Sequence, residues 1–397
     1  MDGGVCKKNY KRKLTGTVRF FPLSGRRAQQ ARQQMMHLRS VVGTVKLSVW
    51  YGYDPGAGHW GCPIRQRWGL SPHQQLSPAL EDKLAFTLTA TGSYAQAAAL
   101  SAKWGTASDD SSLHALAQRL GRRAEAQTQQ RLQSPPLEKQ PRRAPTPLAV
   151  LQVDGWLVRH RGPGWGKKKS QKPRVEWHEM KMGVFYRHEQ RARADNGRGL
   201  LTDKVVVSWQ GEAVELGRRL HWQAQARGLG RAENVLALAD GAEWCWGLIQ
   251  QRWPVAQQLL DFYHASQHLW ESARAVCGSG EDQARAWVEP RLHRLRHGQE
   301  KSLLEALCAL KPPRGEAGQV VRRNQNYFAL HAGRMNYQQV ARRGWPIGSG
   351  AVESACRSRQ TRFKRPGQFW TAEGLRNLCA LEEARANGHW DQLWNHN

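Results

Sequence analysis

Apolar positions along the chain change their period twice. Residues 42–54, VGTVKLSVWYGYD, alternate as one or two strands do. From 77 to 130 the spacing becomes helical. Leu80, Leu84 and Leu88 share one face, Ser93 stands where a cap opens a helix over 94–104, and Gly105 ends it. Ser108 precedes a third helix with Leu113, Leu116 and Leu120 on one side. Three short helices, with a glycine in the turn between the last two, predict a helix-turn-helix module; a plain helical bundle fits the same spacing.

Residues 133–147, QSPPLEKQPRRAPTP, hold five prolines in fifteen positions and read as an extended linker. Beyond it the apolar runs predict strands at 148–153, 178–187 and 204–209. A helix at 211–227, a strand at 234–239, a helix at 243–251, a short strand at 256–260 and a helix at 263–275 follow. Residues 281–345 are helical in period, without strands, and read as an insertion before a last helical stretch near 350. The expected domains are a basic region with short strands at 1–76, the helix-turn-helix-like module at 77–132, the linker at 133–147, and an α/β domain at 148–397.

Charge then narrows the partners. The chain of 397 residues carries 60 Lys and Arg against 32 Asp and Glu, a formal charge of +28. Residues 1–40 alone hold ten of the cations and one acid, Asp2, and read as a flexible arm or irregular lead-in. Such an excess favours a polyanion, through counterion release from a phosphate backbone. No apolar run reaches transmembrane length and no signal-peptide pattern opens the chain, so a membrane is not the expected partner. Seven scattered cysteines without a CxxC fit a reduced cytoplasmic protein and argue against both a disulfide frame and a four-cysteine zinc site.

Three acids stand out. Asp154 ends the run LAVLQVD, Asp240 ends VLALAD, and both precede glycine; Glu353 lies in IGSGAVES at the start of a helical stretch. Either aspartate alone fits a turn-capping residue, and Glu353 alone fits a helix's first turn. Together, two carboxylates at strand ends and a third on a helix form the hard oxygen set that Mg²⁺ or Mn²⁺ prefers. Two such ions can clamp both oxygens of a phosphodiester under attack.

The strings QVDG, ALADGAEW, LLDFYHASQHLW and GWPIGSGAVESACRSRQTRFKRPGQFWTAEGLRNL resemble bacterial insertion-sequence transposases of the DDE type, in particular the ISKra type and its mutator-like relatives. The resemblance spans about 148–395, and 77–122 more weakly. It implies an α/β catalytic domain of RNase H-like fold with an all-helical insertion, plus a mainly helical N-terminal DNA-binding region. It implies that Asp154, Asp240 and Glu353 are the catalytic triad and hold two Mg²⁺ or Mn²⁺ ions. The activity implied is cleavage at the element's ends, then attack of the freed 3′ hydroxyl on target DNA. The partners implied are double-stranded DNA, as terminal inverted repeats and target, and further copies of the chain on that DNA, in the cytoplasm at the nucleoid. Asp261 and His264 match the family's Asp-x-x-His signature, which with His268 on the same helix face makes them accessory residues; a capping Asp and packed histidines fit as well.

Basic stretches would hold the DNA. Residues 159–174 carry seven Lys or Arg and no acid, Lys167, Lys168 and Lys169 among them; the P-loop-like look of 161–170 fails on spacing. Arg357, Arg359, Arg362, Lys364 and Arg365 follow Glu353 at helical spacings and are expected to face the phosphates. His59 and Cys62 lie where related transposases carry cysteine pairs, and a lone Cys62 argues against zinc there. Two other readings stay open: a catalytically decayed or domesticated DNA-binding protein, and a different RNase H-like nuclease.

Overall fold

The computed structural model describes residues 19–136, 146–163, 165–166, 175–196, 199–278 and 280–394. Residues 1–18, most of the proline-rich stretch (137–145) and Lys167–Lys169 lie outside them. The chain forms two compact units, one of residues up to Ala124 with His389 onward, the other of Glu125–Gly388.

In the first unit, β1 (Gln29–Ser40), β2 (Gly43–Asp54) and β3 (His59–Gly61) form an antiparallel sheet. β1 falls inside the basic region read as an arm or lead-in. Of its twelve residues only Met36 and Leu38 are buried, so most of its alternation is written in polar side chains. Met36, Leu47, Val49, Cys62 and Ile64 form one apolar cluster, which makes Cys62 a core residue. The expected helices follow at Pro78–Ala90, Tyr94–Lys103 and Asp110–Leu132. Ser77 and Ser93 cap the first two; Asp109, rather than Ser108, caps the third by accepting from the Ser112 amide at 2.8 Å. Gly105 turns the chain at φ +69°, a conformation costly for other residues.

The second unit is built on β4 (Leu148–Arg161), β5 (Val175–Arg187), β8 (Val205–Trp209), β9 (Asn234–Ala239) and β10 (Gln257–Leu260), in the order β10-β9-β4-β5-β8. β4, β9 and β10 run parallel; β5 is antiparallel to β4 and to β8. A small hairpin, β6 (Arg191–Arg193) and β7 (Gly199–Leu201), precedes β8. Ala149, Val150, Leu151 and Val153 are fully buried, as a central strand covered on both faces requires. Neighbouring residues of β5 show the two covers. A Cβ on Gly183 would lie 2.3 Å from Leu220 of the helix Ala213–Ala226, so glycine sets that close approach. Met182, on the opposite face, meets Cys356 of the helix Gly350–Phe363. The helix Ala372–Ala386 packs on β8. Between the helix Phe262–Cys277 and the Glu353 segment stand four helices: Glu281–Arg296, Glu300–Cys308, Glu316–Leu330 and Tyr337–Arg342.

One strand differs from expectation. β4 does not stop before Asp154 but continues seven residues past it to Arg161. The glycine at 155 ended the apolar run in the sequence, yet Trp156, Val158 and His160 keep the alternation on the buried face.

Candidate active site

The parallel ladder ends in one line. Val153 pairs with Ala239, and Ala239 with Leu260. The next residues on the three strands are Asp154, Asp240 and Asp261. Strand order reverses at β4, with β9 on one side and β5 on the other, and ligands of open α/β sheets gather at the carboxyl ends of strands at such a switch point.

The three aspartates are held differently. Asp154 accepts from the Gly155 amide at 2.7 Å. Burial, with the charge of Asp240 behind it, pushes its carboxyl above the ordinary value, and the Gly155 amide opposes this. Asp240 accepts from the Ala242 amide at 3.1 Å, while its carbonyl accepts from the Tyr327 hydroxyl at 2.7 Å. The Gly241 turn after it has φ +114°, and a Cβ there would strike the Tyr327 ring at 2.7 Å. Asp261 is fully buried: one oxygen accepts from the His264 amide at 2.7 Å and the other from the Ser349 amide. It therefore caps its own helix and anchors the approach to the next.

Glu353 is placed by side chains. Gln152, two residues before Asp154 and 1% exposed, accepts from the Ala351 and Val352 amides at 2.9 and 3.0 Å and donates to the Gly348 carbonyl at 3.3 Å. The Phe262 amide donates to the Ile347 carbonyl at 3.0 Å. Ser349 Oγ donates to Glu353 Oε1 at 2.9 Å. The helix start is thus fastened to the same sheet end that carries the aspartates.

Among the described residues one group offers three donor atoms within 4.8 Å of one another: Asp261, His264 and Glu353. The expected set of Asp154, Asp240 and Glu353 is not that group. Asp154 nonetheless interacts electrostatically with Asp240 and His264, and the Cys356 thiol, one turn beyond Glu353, is pushed up by burial and by Asp154, Glu353 and Asp240. All these side chains share one region. Among the described residues no Lys or Arg ion-pairs Asp154, Asp240 or Glu353.

Other expected site residues part ways. His268 packs: its ring stacks on Tyr327 with centroids 3.7 Å apart, and its Nδ1 lies 2.8 Å from Asn324 Oδ1. Asn324 uses its amide to donate to the His268 carbonyl and Ser272 Oγ, so Nδ1 is the donor of that pair. Arg357 and Lys364 are exposed, and Arg365 is half-buried with its carbonyl accepting from Arg159. Arg362 does not face outward as its spacing predicts. It is 6% exposed and, with Arg359 at 8%, lies against Glu382 of the following helix, so neither guanidinium faces solvent. Gln152 was the residue most open to discovery in the sequence, as the one amide inside an apolar strand; a buried amide needs partners. Tyr327 and Ser349 carried no such signal.

No family model matches the chain, and no curated protein matches it. Among solved structures it is similar to the Drosophila P element transposase strand transfer complex, at 10% identity and a TM-score of 0.24, over 79% of this chain and 80% of that one. That TM-score is below the level of a shared fold. No helix among the described residues is long and apolar enough to cross a membrane.

Proposed function

We propose that the chain is a DDE-type transposase whose 125–388 unit is an RNase H-like catalytic domain acting on DNA. One observation carries the reading: Asp154 and Asp240 follow the last paired residues of adjacent parallel strands, and the helix bearing Glu353 is bonded to that same edge. Three strands of the main sheet and a small hairpin, followed by alternating helix and strand, with a helical insertion before Glu353, support it.

The donor set fits a divalent cation. Unpaired carboxylates in a chain with 60 cations, one of them pushed toward protonation by burial and a like charge, lose that penalty when a metal arrives. Asp154, Asp240 and Glu353 would hold Mg²⁺ or Mn²⁺, with His264 beside them. When bound, such ions lower the pKa of water and stabilise the attacking and leaving oxygens of a phosphodiester. Asp261, whose oxygens both accept backbone amides, serves chiefly to position His264 and Glu353. Tyr327 fixes the Asp240 turn from the insertion. Arg357 and Lys364 grip the DNA backbone.

The test is cleavage of a duplex carrying the DNA that flanks the gene, in Mg²⁺ or Mn²⁺. Asp240→Asn and Glu353→Gln keep size but remove a charged oxygen. Each is expected to lower cleavage by orders of magnitude while duplex binding stays near wild type. Equal cutting by wild type and Glu353→Gln would sink the assignment of the third acid. Wild-type protein inert on its own flanks would favour a decayed DNA-binding protein.

A further inference from the structure

Past Asp154, β4 leaves β9 behind. Its far half pairs with β5 on one side and, at His160, bridges to Trp370 on the other. Trp156, Val158 and His160 are buried there, so Leu157, Arg159 and Arg161 form the opposite face. Register sets Trp177 across from Arg159 and Val175 across from Arg161, on that same face. Trp177 is 53% exposed and Leu157 49%. An indole left half in water within an apolar patch marks a surface that something else covers.

Its surroundings are cationic and aromatic. The Arg159 guanidinium and Lys364 Nζ lie over the Trp177 ring, 5.8 and 5.5 Å from its centroid, while half the residue's surface remains open. Arg161 stands 5.9 Å from the Trp165 ring, which meets Phe369 at 4.6 Å. The acids nearby are engaged: Glu179 with Lys181 and the Trp244 indole, Glu176 with His178. A partner here is therefore anionic and carries flat apolar groups.

We infer that this face is a stacking platform for an unpaired nucleobase, with Trp177 under the base and Arg161 and Lys364 on the flanking phosphates. Aromatic rings in a basic groove take single strands in this way, without regard to sequence. The inference deepens the proposed function by naming its substrate as DNA unpaired next to the cut. Arg159 lies five residues beyond Asp154 on one strand, about 16 Å at 3.3 Å per residue, and the odd separation turns the two side chains to opposite faces, so a nucleic-acid strand must pass the sheet edge to reach both.

The test measures binding of a single-stranded oligonucleotide and of heparin, a polyanion without bases, in the absence of divalent metal. Trp177→Ala is expected to weaken the oligonucleotide about tenfold. Heparin affinity should hold, and Trp177→Phe should keep most of the oligonucleotide affinity. Arg161→Gln and Lys364→Gln should weaken both ligands. Unchanged oligonucleotide binding by Trp177→Ala would overturn the inference. So would an equal loss for heparin, or a change only in the protein's sedimenting mass, which would make the face a contact between copies. No cleavage enters the measurement, so it stands or falls apart from the catalytic assignment.

Discussion

Asp154 and Asp240 stand where a β-ladder ends, whereas Glu353 stands where a helix begins, and different bonds place them. The aspartates inherit their spacing from backbone pairing: Val153 and Ala239 are partners, so the residues after them are neighbours. Glu353 depends on Gln152, about 200 residues earlier in the chain, and on Asp261. A ladder distributes its strength over many bonds. A latch concentrates it in a few buried polar groups, each costly to leave unsatisfied. The helix-borne acid is therefore the vulnerable member of the set.

Removing the latch is the sharpest way to break that contrast. Gln152→Leu leaves the Ala351 amide and the Gly348 carbonyl without their Gln152 partner in the interior, while the Val352 amide keeps the Ser349 carbonyl at 3.0 Å. The expected loss is on the order of 2–5 kcal/mol in denaturant unfolding. Cleavage should fall further than lost folded protein explains, although no acid has changed. Gln152→Glu keeps the accepting oxygen but loses the amide that donates to Gly348, and should fall between. If Gln152→Leu unfolds like wild type, the latch does not hold the helix.

Asp261→Asn is the milder version. The amide can accept from one of the two backbone N–H groups but turns a donor toward the other. A cost of about 1–3 kcal/mol is expected, with cleavage losses greater in catalytic rate than in substrate affinity. A loss confined to affinity would mean that Asp261 touches DNA instead of positioning Glu353 and His264.

The same contrast explains what could be read in the sequence. Strand β9 was legible to the residue, because 235–239 is apolar throughout and Asp240-Gly241 punctuates it. The helix of Glu353 was legible as a helix. What it packs on was not. Arg359 and Arg362 have the spacing of a basic helix face, but they are three apart on the side that Glu382 covers. One helix's sequence does not name its neighbour. β1 escaped because its two buried residues are outnumbered by Gln and Arg. The far half of β4 escaped because Arg159 and Arg161 read as part of one basic stretch over 159–174, when they are the outward half of an alternation.

A second latch tests whether charge changes the behaviour. At the sheet's other edge, Glu383 accepts from the Ser208 amide, and Asn387 exchanges bonds with Val206, so two side chains cover the open side of β8. Burial raises the Glu383 carboxyl from 4.5 to about 7. Between those values the unfolded chain has released a proton that the folded chain keeps. The group's contribution to stability is thus complete below pH 4.5 and is lost as pH rises to about 7, by on the order of 3 kcal/mol. Buried His160 and His331 and half-buried His188 and His221, all lowered mainly by desolvation, work in the opposite sense below pH 6.5. The difference between wild type and Glu383→Gln isolates the carboxyl: the variant should gain relative stability from pH 4.5 to 7 and then level off. A difference independent of pH would show that Glu383 is ionised in the fold throughout.

The smallest effect separates the two sides of the Glu353 helix. Arg357 and Lys364 are exposed, whereas Arg359 and Arg362 are turned to Glu382. A cation that neutralises a phosphate releases a counterion, and its loss lowers the slope of log affinity against log salt by about one. Arg357→Gln should do this for duplex DNA, with a loss of only a few-fold at moderate salt. Arg359→Gln should leave the slope unchanged and lower stability, because it leaves the buried Glu382 short of a partner. The slope matters more than the affinity here, since a destabilised protein binds less without changing how many phosphates it touches. Equal slopes for wild type and Arg357→Gln would place the DNA away from this helix. A slope lowered by Arg359→Gln would mean that the guanidinium leaves Glu382 when DNA arrives, and that the buried side of the helix opens on binding.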